Sequence, residues 1–220
     1  MGFGLLFIGY FFILSLPVGG IDILPDFIGW LIMLAGLKCL ISHCPKNKGF
    51  GYARPVLLIC AVLSIAVFGC QLASASGMLS DGLSKYFYEP LKIVYSTGVG
   101  IFHAMLFLGI FSLSREVELP KLSNRARRML VLTALYYICE LLSGVGITKL
   151  IANSAQSPEV VLSYMNLVIY VMGSLWLILS WALLLACYMR ICLEGDEDMP
   201  YRENVHDQIV GYLKSKKKKR

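Results

Sequence analysis

The chain has 220 residues, 57% of them hydrophobic and only 15% charged, with a formal net charge of +6. Soluble domains carry about one quarter charged residues, so an ordinary soluble fold is excluded. The apolar residues cluster in runs near the 20 or so residues that a helix needs to cross a bilayer. These runs lack period-two alternation and are about twice the length of a barrel strand, which excludes a β-barrel.

Six runs read as spans, over 2–18, 27–42, 56–76, 91–114, 129–152 and 160–191. They predict an all-α, polytopic transmembrane helical bundle over residues 1–193, followed by a tail over 194–220. The first run starts without a basic region ahead of it, unlike a signal peptide. Leu6 stands where N-myristoylation needs Ser or Thr. Pro17, Gly19 and Gly20 stop the first helix, and Pro25 falls in the first turn of the second, giving a tight hairpin that carries Asp22 and Asp26. These acids either flank a helix N-terminus, where negative charge is favoured, or line an external vestibule for a cation or substrate.

The gap 77–90 is expected to be external and polar, with Asp81 and Glu89 against Lys85 and an interfacial belt of Tyr86, Phe87 and Tyr88. Thr97-Gly98-Val99-Gly100-Ile101 is echoed by Ser143-Gly144-Val145-Gly146-Ile147, small residues that let backbones approach or mark a helix broken around a site. Ser157-Pro158-Glu159 reads as the cap and first turn of the sixth helix. That helix is longer than one crossing requires, so it tilts or extends beyond the bilayer.

The basic residues alternate between gaps. Lys38, Lys46, Lys48 and Arg54 surround the second gap, Arg115, Lys121, Arg125, Arg127 and Arg128 the fourth, and Arg190 and Arg202 follow the sixth span; the other side holds Lys85, Lys92 and Lys149. Positive loops resist translocation, which predicts that both termini are cytoplasmic. The tail begins with Glu194, Asp196, Glu197 and Asp198. It continues through a mildly amphipathic stretch to Lys216, Lys217, Lys218, Lys219 and Arg220. Near a bilayer each such cation attracts anionic lipid headgroups by about 1 kcal/mol. Nucleic acid is not an expected partner, since no folded reading surface accompanies these charges.

Ionisable groups at mid-membrane cost about 2.5–3.5 kcal/mol on insertion scales and demand a reason. His103 and Glu140 lie about 11 and 12 residues inside the basic gap between their runs, hence at one depth, about 16–18 Å in. They are expected to pair inside the bundle, supported by Tyr136, Tyr137, Ser143, Gln71 and Asn166, either as interhelical glue or as a protonatable transport site. No H-E-x-x-H, G-x-S-x-G, C-x-x-C or nucleotide-binding motif is present, so the chain is not expected to be an enzyme and no catalytic residue is assigned. Of the seven cysteines, Cys39 and Cys44 stand beside His43 and near the level of Cys187 and Cys192, without the paired spacing of a metal signature. Neither a metal nor a cofactor is expected.

The opening Gly2-Phe3-Gly4-Leu5-Leu6-Phe7-Ile8-Gly9-Tyr10 and the stretch Leu24-Pro25-Asp26-Phe27-Ile28-Gly29-Trp30-Leu31 resemble uncharacterised small multi-pass membrane proteins of Gram-positive, Clostridia-like anaerobes. The resemblance implies a bacterial inner (plasma) membrane and no activity. The expected role is transport-related, as a small permease or a membrane-embedded substrate-binding subunit with partner subunits. The alternative is a non-catalytic partner, sensor or scaffold that uses its basic face.

Overall fold

The computed structural model describes residues 2–13, 17–18, 21–22, 26–76, 81–144, 146 and 158–191. Among these are six helices: α1 Gly2–Phe12, α2 Asp26–His43, α3 Lys48–Ala75, α4 Asp81–Glu116, α5 Pro120–Gly144 and α6 Pro158–Arg190. Between α1 and α2 a two-residue antiparallel ladder pairs Pro17 with Asp22 and Val18 with Ile21. The class is all-α. Four helices, α2, α3, α4 and α6, contain stretches long and apolar enough to cross a membrane. The outer faces are apolar too, with Ile59, Val62, Ile65, Leu135, Ile138, Val168, Val171 and Ile178 all exposed. A soluble domain of this size does not present so continuous an apolar surface. The chain is a membrane protein.

Several boundaries differ from those read in the sequence. α1 ends at Phe12 after 11 residues, about 16 Å of helix against a hydrocarbon core of about 30 Å, so helix alone does not carry this first segment across. Pro17 and Gly19 therefore do not stop it; the helix has already ended. The gap 77–90 is helical from Asp81 onward, and Pro90 lies inside α4. Lys121, Arg125, Arg127 and Arg128 belong to the first turns of α5 rather than to a loop. The α4–α5 link is so short because it is a Schellman turn. Leu119 N–H donates to Ser114 O at 2.9 Å and Glu118 N–H to Arg115 O at 3.2 Å, with Glu118 in the left-handed region at φ 53°. The tail cluster Lys216–Arg220, the acids at 194–198, Lys149 and Cys192 lie outside the described residues.

Each helix packs on its neighbours in chain order, and α1 closes the ring against α6. Contact pairs define an antiparallel register at successive seams. At the α1–α2 seam the helices cross on glycine: a Cβ on Gly9 would lie 2.8 Å from Gly29 O, and one on Gly2 would lie 2.8 Å from Gly36 O. Both pairs are reciprocal and one heptad apart, so backbone meets backbone along the whole of α1. At α3–α4, Gly49 meets Gly109 and Cys60 meets Gly98. At α5–α6, Thr133 bonds Trp176 and Tyr136 lies against Gly173. The ring closes where Phe7 stacks on Trp181 with centroids 5.0 Å apart, and the Trp181 indole N–H donates to Phe7 O at 3.2 Å.

Asn47 fastens one end. It is 3% exposed; its Oδ1 accepts the N–H groups of Gly49 and Phe50 at 3.1 and 3.4 Å, capping α3, while its Nδ2 donates to Gly109 O of α4 at 2.9 Å. Asn47→Ala removes the cap and the cross-helix bond together. The expected loss is about 2–3 kcal/mol, read as a lowered unfolding midpoint in detergent micelles.

The described basic residues collect at that same end. Lys38, Lys46, Lys48, Arg54, Arg115, Lys121, Arg125, Arg127, Arg128 and Arg190 are all exposed there. The mid-chain part of α4, α5 and α6 lies well beyond this band, with His103 about 18 Å from Arg115.

Candidate functional site

His103 lies near the axis of the ring, 1% exposed. Rings from four other helices face it: Tyr10 of α1 at 5.4 Å between centroids, Trp30 of α2 at 6.2 Å, Tyr137 of α5 at 6.1 Å and Trp176 of α6 at 4.7 Å. Phe102 and Phe107 of α4 itself complete the box at 5.1 and 6.1 Å. The His103 Nδ1–H donates to Val99 O at 2.7 Å, and Tyr137 Oη lies 3.4 Å from the same nitrogen. A carbonyl oxygen only accepts, so in the neutral ring the lone pair is on Nε2. That atom is buried and has no hydrogen-bond partner, and neither does Tyr10 Oη.

The two indole donors are already engaged. Trp30 Nε1–H donates to Tyr95 Oη at 2.9 Å, and Tyr95 in turn donates to Asp26 Oδ2 at 2.8 Å. Trp176 Nε1–H donates to Thr133 Oγ1 at 2.8 Å, whose hydroxyl continues to Met129 O at 2.7 Å. The indoles that frame His103 thus hold each other's scaffold and have nothing left for Nε2. An acceptor left bare in the centre of a membrane bundle costs about 1–3 kcal/mol, which needs a reason.

The expected direct pair of His103 and Glu140 is not formed. Tyr137 lies against Gly100 and sets the α4–α5 register. Glu140 comes three residues later, about 4.5 Å further along α5, nearer the level of Thr97. Glu140 is half-buried and has Tyr136 as an electrostatic neighbour. It connects to His103 only through the tyrosines: Tyr136 and Tyr137 rings touch at 4.9 Å, and the Tyr137 hydroxyl has Glu140, Tyr10, Tyr136 and Tyr95 as electrostatic neighbours. Tyr136 and Tyr137 thus lie in this cluster of rings. Asn166 does not, because it is exposed on the outer face of α6. Gln71 is bonded to Tyr88 at 3.3 Å, in a different part of the bundle. Asp26 is drawn into the Tyr95–Trp30 chain rather than a separate vestibule; the side chain of Asp22 lies outside what is described.

The glycine echo splits into unlike parts. Gly100 makes room for the Tyr137 ring, whereas Gly146 sits in the turn after α5 at φ 86° with nothing nearby. Near the basic end, His43 Nδ1 is 2.8 Å from Cys39 O and 3.9 Å from Cys39 Sγ. Burial, with the Glu116 carboxylate as a second cause, pushes the Cys44 thiol up, away from the reactive thiolate. Among the described residues no group of three or more His, Cys, Asp or Glu side chains is placed to hold a metal ion.

Sequence reasoning missed Tyr10, Trp30, Tyr95 and Trp176. Each sits in an apolar run where an aromatic residue signals nothing unusual, and the partner that gives it meaning is on another helix. Comparison of the chain with protein-family models, with curated proteins and with solved structures returns no match.

Proposed function

We propose that this is a six-span plasma-membrane protein with both termini on the cytoplasmic face, and that its role is transport-related: a small permease or a membrane-embedded, solute-binding subunit. The observation that carries the solute-binding reading is the unpartnered Nε2 of His103 at the ring axis, enclosed by rings from α1, α2, α5 and α6. Solute sites in membrane bundles combine apolar walls with a few convergent polar groups, and a buried ionisable residue there is a functional candidate by default. The orientation is supported by the band of exposed basic residues at one end. Anionic lipid headgroups at that face are the proposed partners of the band and of the Lys216–Arg220 cluster.

Orientation is tested by single cysteines in a cysteine-free background. Lys46→Cys and Lys121→Cys stay unlabelled when an impermeant maleimide is added to intact cells, and Glu89→Cys is labelled; the reverse pattern overturns the assignment. The transport reading is tested by reconstitution into proteoliposomes and uptake of a panel of labelled small polar solutes. Uptake of none of them overturns it. The second reading, a non-catalytic partner or sensor, is favoured by the close ring packing around His103, with centroids 4.7 Å away at Trp176 and 5.1 Å at Phe102. On that reading the basic end is the working surface.

A further inference from the structure

We propose that the solute held at His103 is a small organic ammonium ion, an inference that rests on the solute-binding reading and names its ligand class. The groups that converge on the ring axis are acceptors and π faces. In the neutral tautomer set by Val99 O, Nε2 offers a lone pair and no proton. Tyr10 Oη, buried beside it and equally without a partner, offers two more lone pairs. Around these stand the rings of Trp30, Trp176 and Tyr137, residue types whose π faces attract a desolvated cation most strongly. Both indole N–H groups point away to Tyr95 and Thr133, so an anion would find no free nitrogen donor there, only tyrosine hydroxyls.

The charge pattern along the bundle favours the same ligand. Two carboxylates lie toward the end opposite the basic band and both are tied to the cluster by tyrosine. Asp26 accepts from Tyr95 at 2.8 Å, and half-buried Glu140 is an electrostatic neighbour of Tyr136 and Tyr137. The basic side chains described are gathered at the other end, apart from exposed Lys92. An ammonium ion approaching from the carboxylate end passes Glu140, then the paired Tyr136 and Tyr137, and reaches Nε2 with an N–H to donate. No cation of the protein competes for the site along that route among the described residues. A neutral solute of equal size gains the apolar walls but not the carboxylates or the ring quadrupoles.

The test uses the full chain in detergent micelles and a matched pair of probes, cyclohexylamine and cyclohexanol. The amine is charged at neutral pH, as a lysine is, and neither probe absorbs where tryptophan does. Trp30 and Trp176 line the site, so binding is read as a saturable change in tryptophan emission. The amine is expected to saturate at a concentration at least about tenfold below the alcohol, with Glu140→Gln and Tyr10→Phe each weakening it several-fold. Both substitutions conserve shape, and unchanged circular dichroism establishes that the variants are folded. Equal response to amine and alcohol, or an amine response untouched by both substitutions, overturns the ammonium assignment while leaving a solute site in place. No saturable response to either probe overturns the ammonium assignment and counts against the solute-binding reading as well.

Discussion

Adding one methyl group at Gly29 is expected to destabilise the bundle by about 2–3 kcal/mol, whereas the same addition at Gly51 is expected to leave it unchanged or slightly more stable. Both glycines are inside helices, so the helix-propensity gain from Gly→Ala is common to the two. What differs is the neighbour. A Cβ on Gly29 falls 2.7 Å from Gly9 O and 3.0 Å from Phe12 Cβ, a distance that a backbone carbonyl cannot yield without moving α1 as a body. A Cβ on Gly51 meets nothing within 4 Å. Moving α1 carries Tyr10 away from His103 and Phe7 away from Trp181, so the damage reaches both the site and the closure of the ring. Unfolding midpoints of the two variants, followed by circular dichroism during titration with a denaturing detergent, decide the matter. Equal midpoints would mean that the glycine crossing does not hold α1 in place.

His103→Leu is the complementary case, large in activity and small in stability. The helical N–H of residue 103 already bonds Val99 O, so loss of the imidazole leaves no buried carbonyl without a donor. It also removes an acceptor that has no partner. Replacing an unsatisfied buried polar group by an apolar one of similar size is near neutral or stabilising, within about 1 kcal/mol. Uptake or binding that uses Nε2 is expected to fall at least about tenfold, the effect of losing one hydrogen bond to a charged ligand. Measuring proteoliposome uptake and the unfolding midpoint on the same preparation separates the two roles. A lowered midpoint with uptake intact would make His103 a packing residue.

The parts of this fold that local chemistry controls were legible in the sequence. Runs of apolar residues marked the helices, and the spacing of Arg and Lys placed one end of each. Asn47 before α3 is equally readable as a cap residue, from its type and its place just ahead of the helix. His103 and Glu140 stood out one at a time, as ionisable residues in apolar runs, but their pairing did not survive. The edges of the runs fix depth only along each helix, while the register between helices comes from the Tyr137 ring settling on Gly100, a fit that no count along one helix contains. The seven-residue spacing of Gly2 with Gly9 and of Gly29 with Gly36 is visible in hindsight, since antiparallel helices bring the first of one pair to the second of the other. The Asp26–Tyr95–Trp30 chain was beyond reach for a simpler reason. Its links span 69 and 65 residues, and only the closed ring brings them together.

That closure has a bearing on how the protein is made. Chains are synthesised from the N-terminus, and early segments pair as they emerge. α1 and α2 can lock at once through their glycines. The far side of α1 has to wait, since the bond from Trp181 to Phe7 joins residues 174 apart. Trp176, the ring nearest His103, arrives on the same last helix. A ribosome that stops before α6 therefore leaves a horseshoe that lacks Trp176 and Trp181, with His103 open on that side. Completion of the chain and enclosure of His103 are a single event.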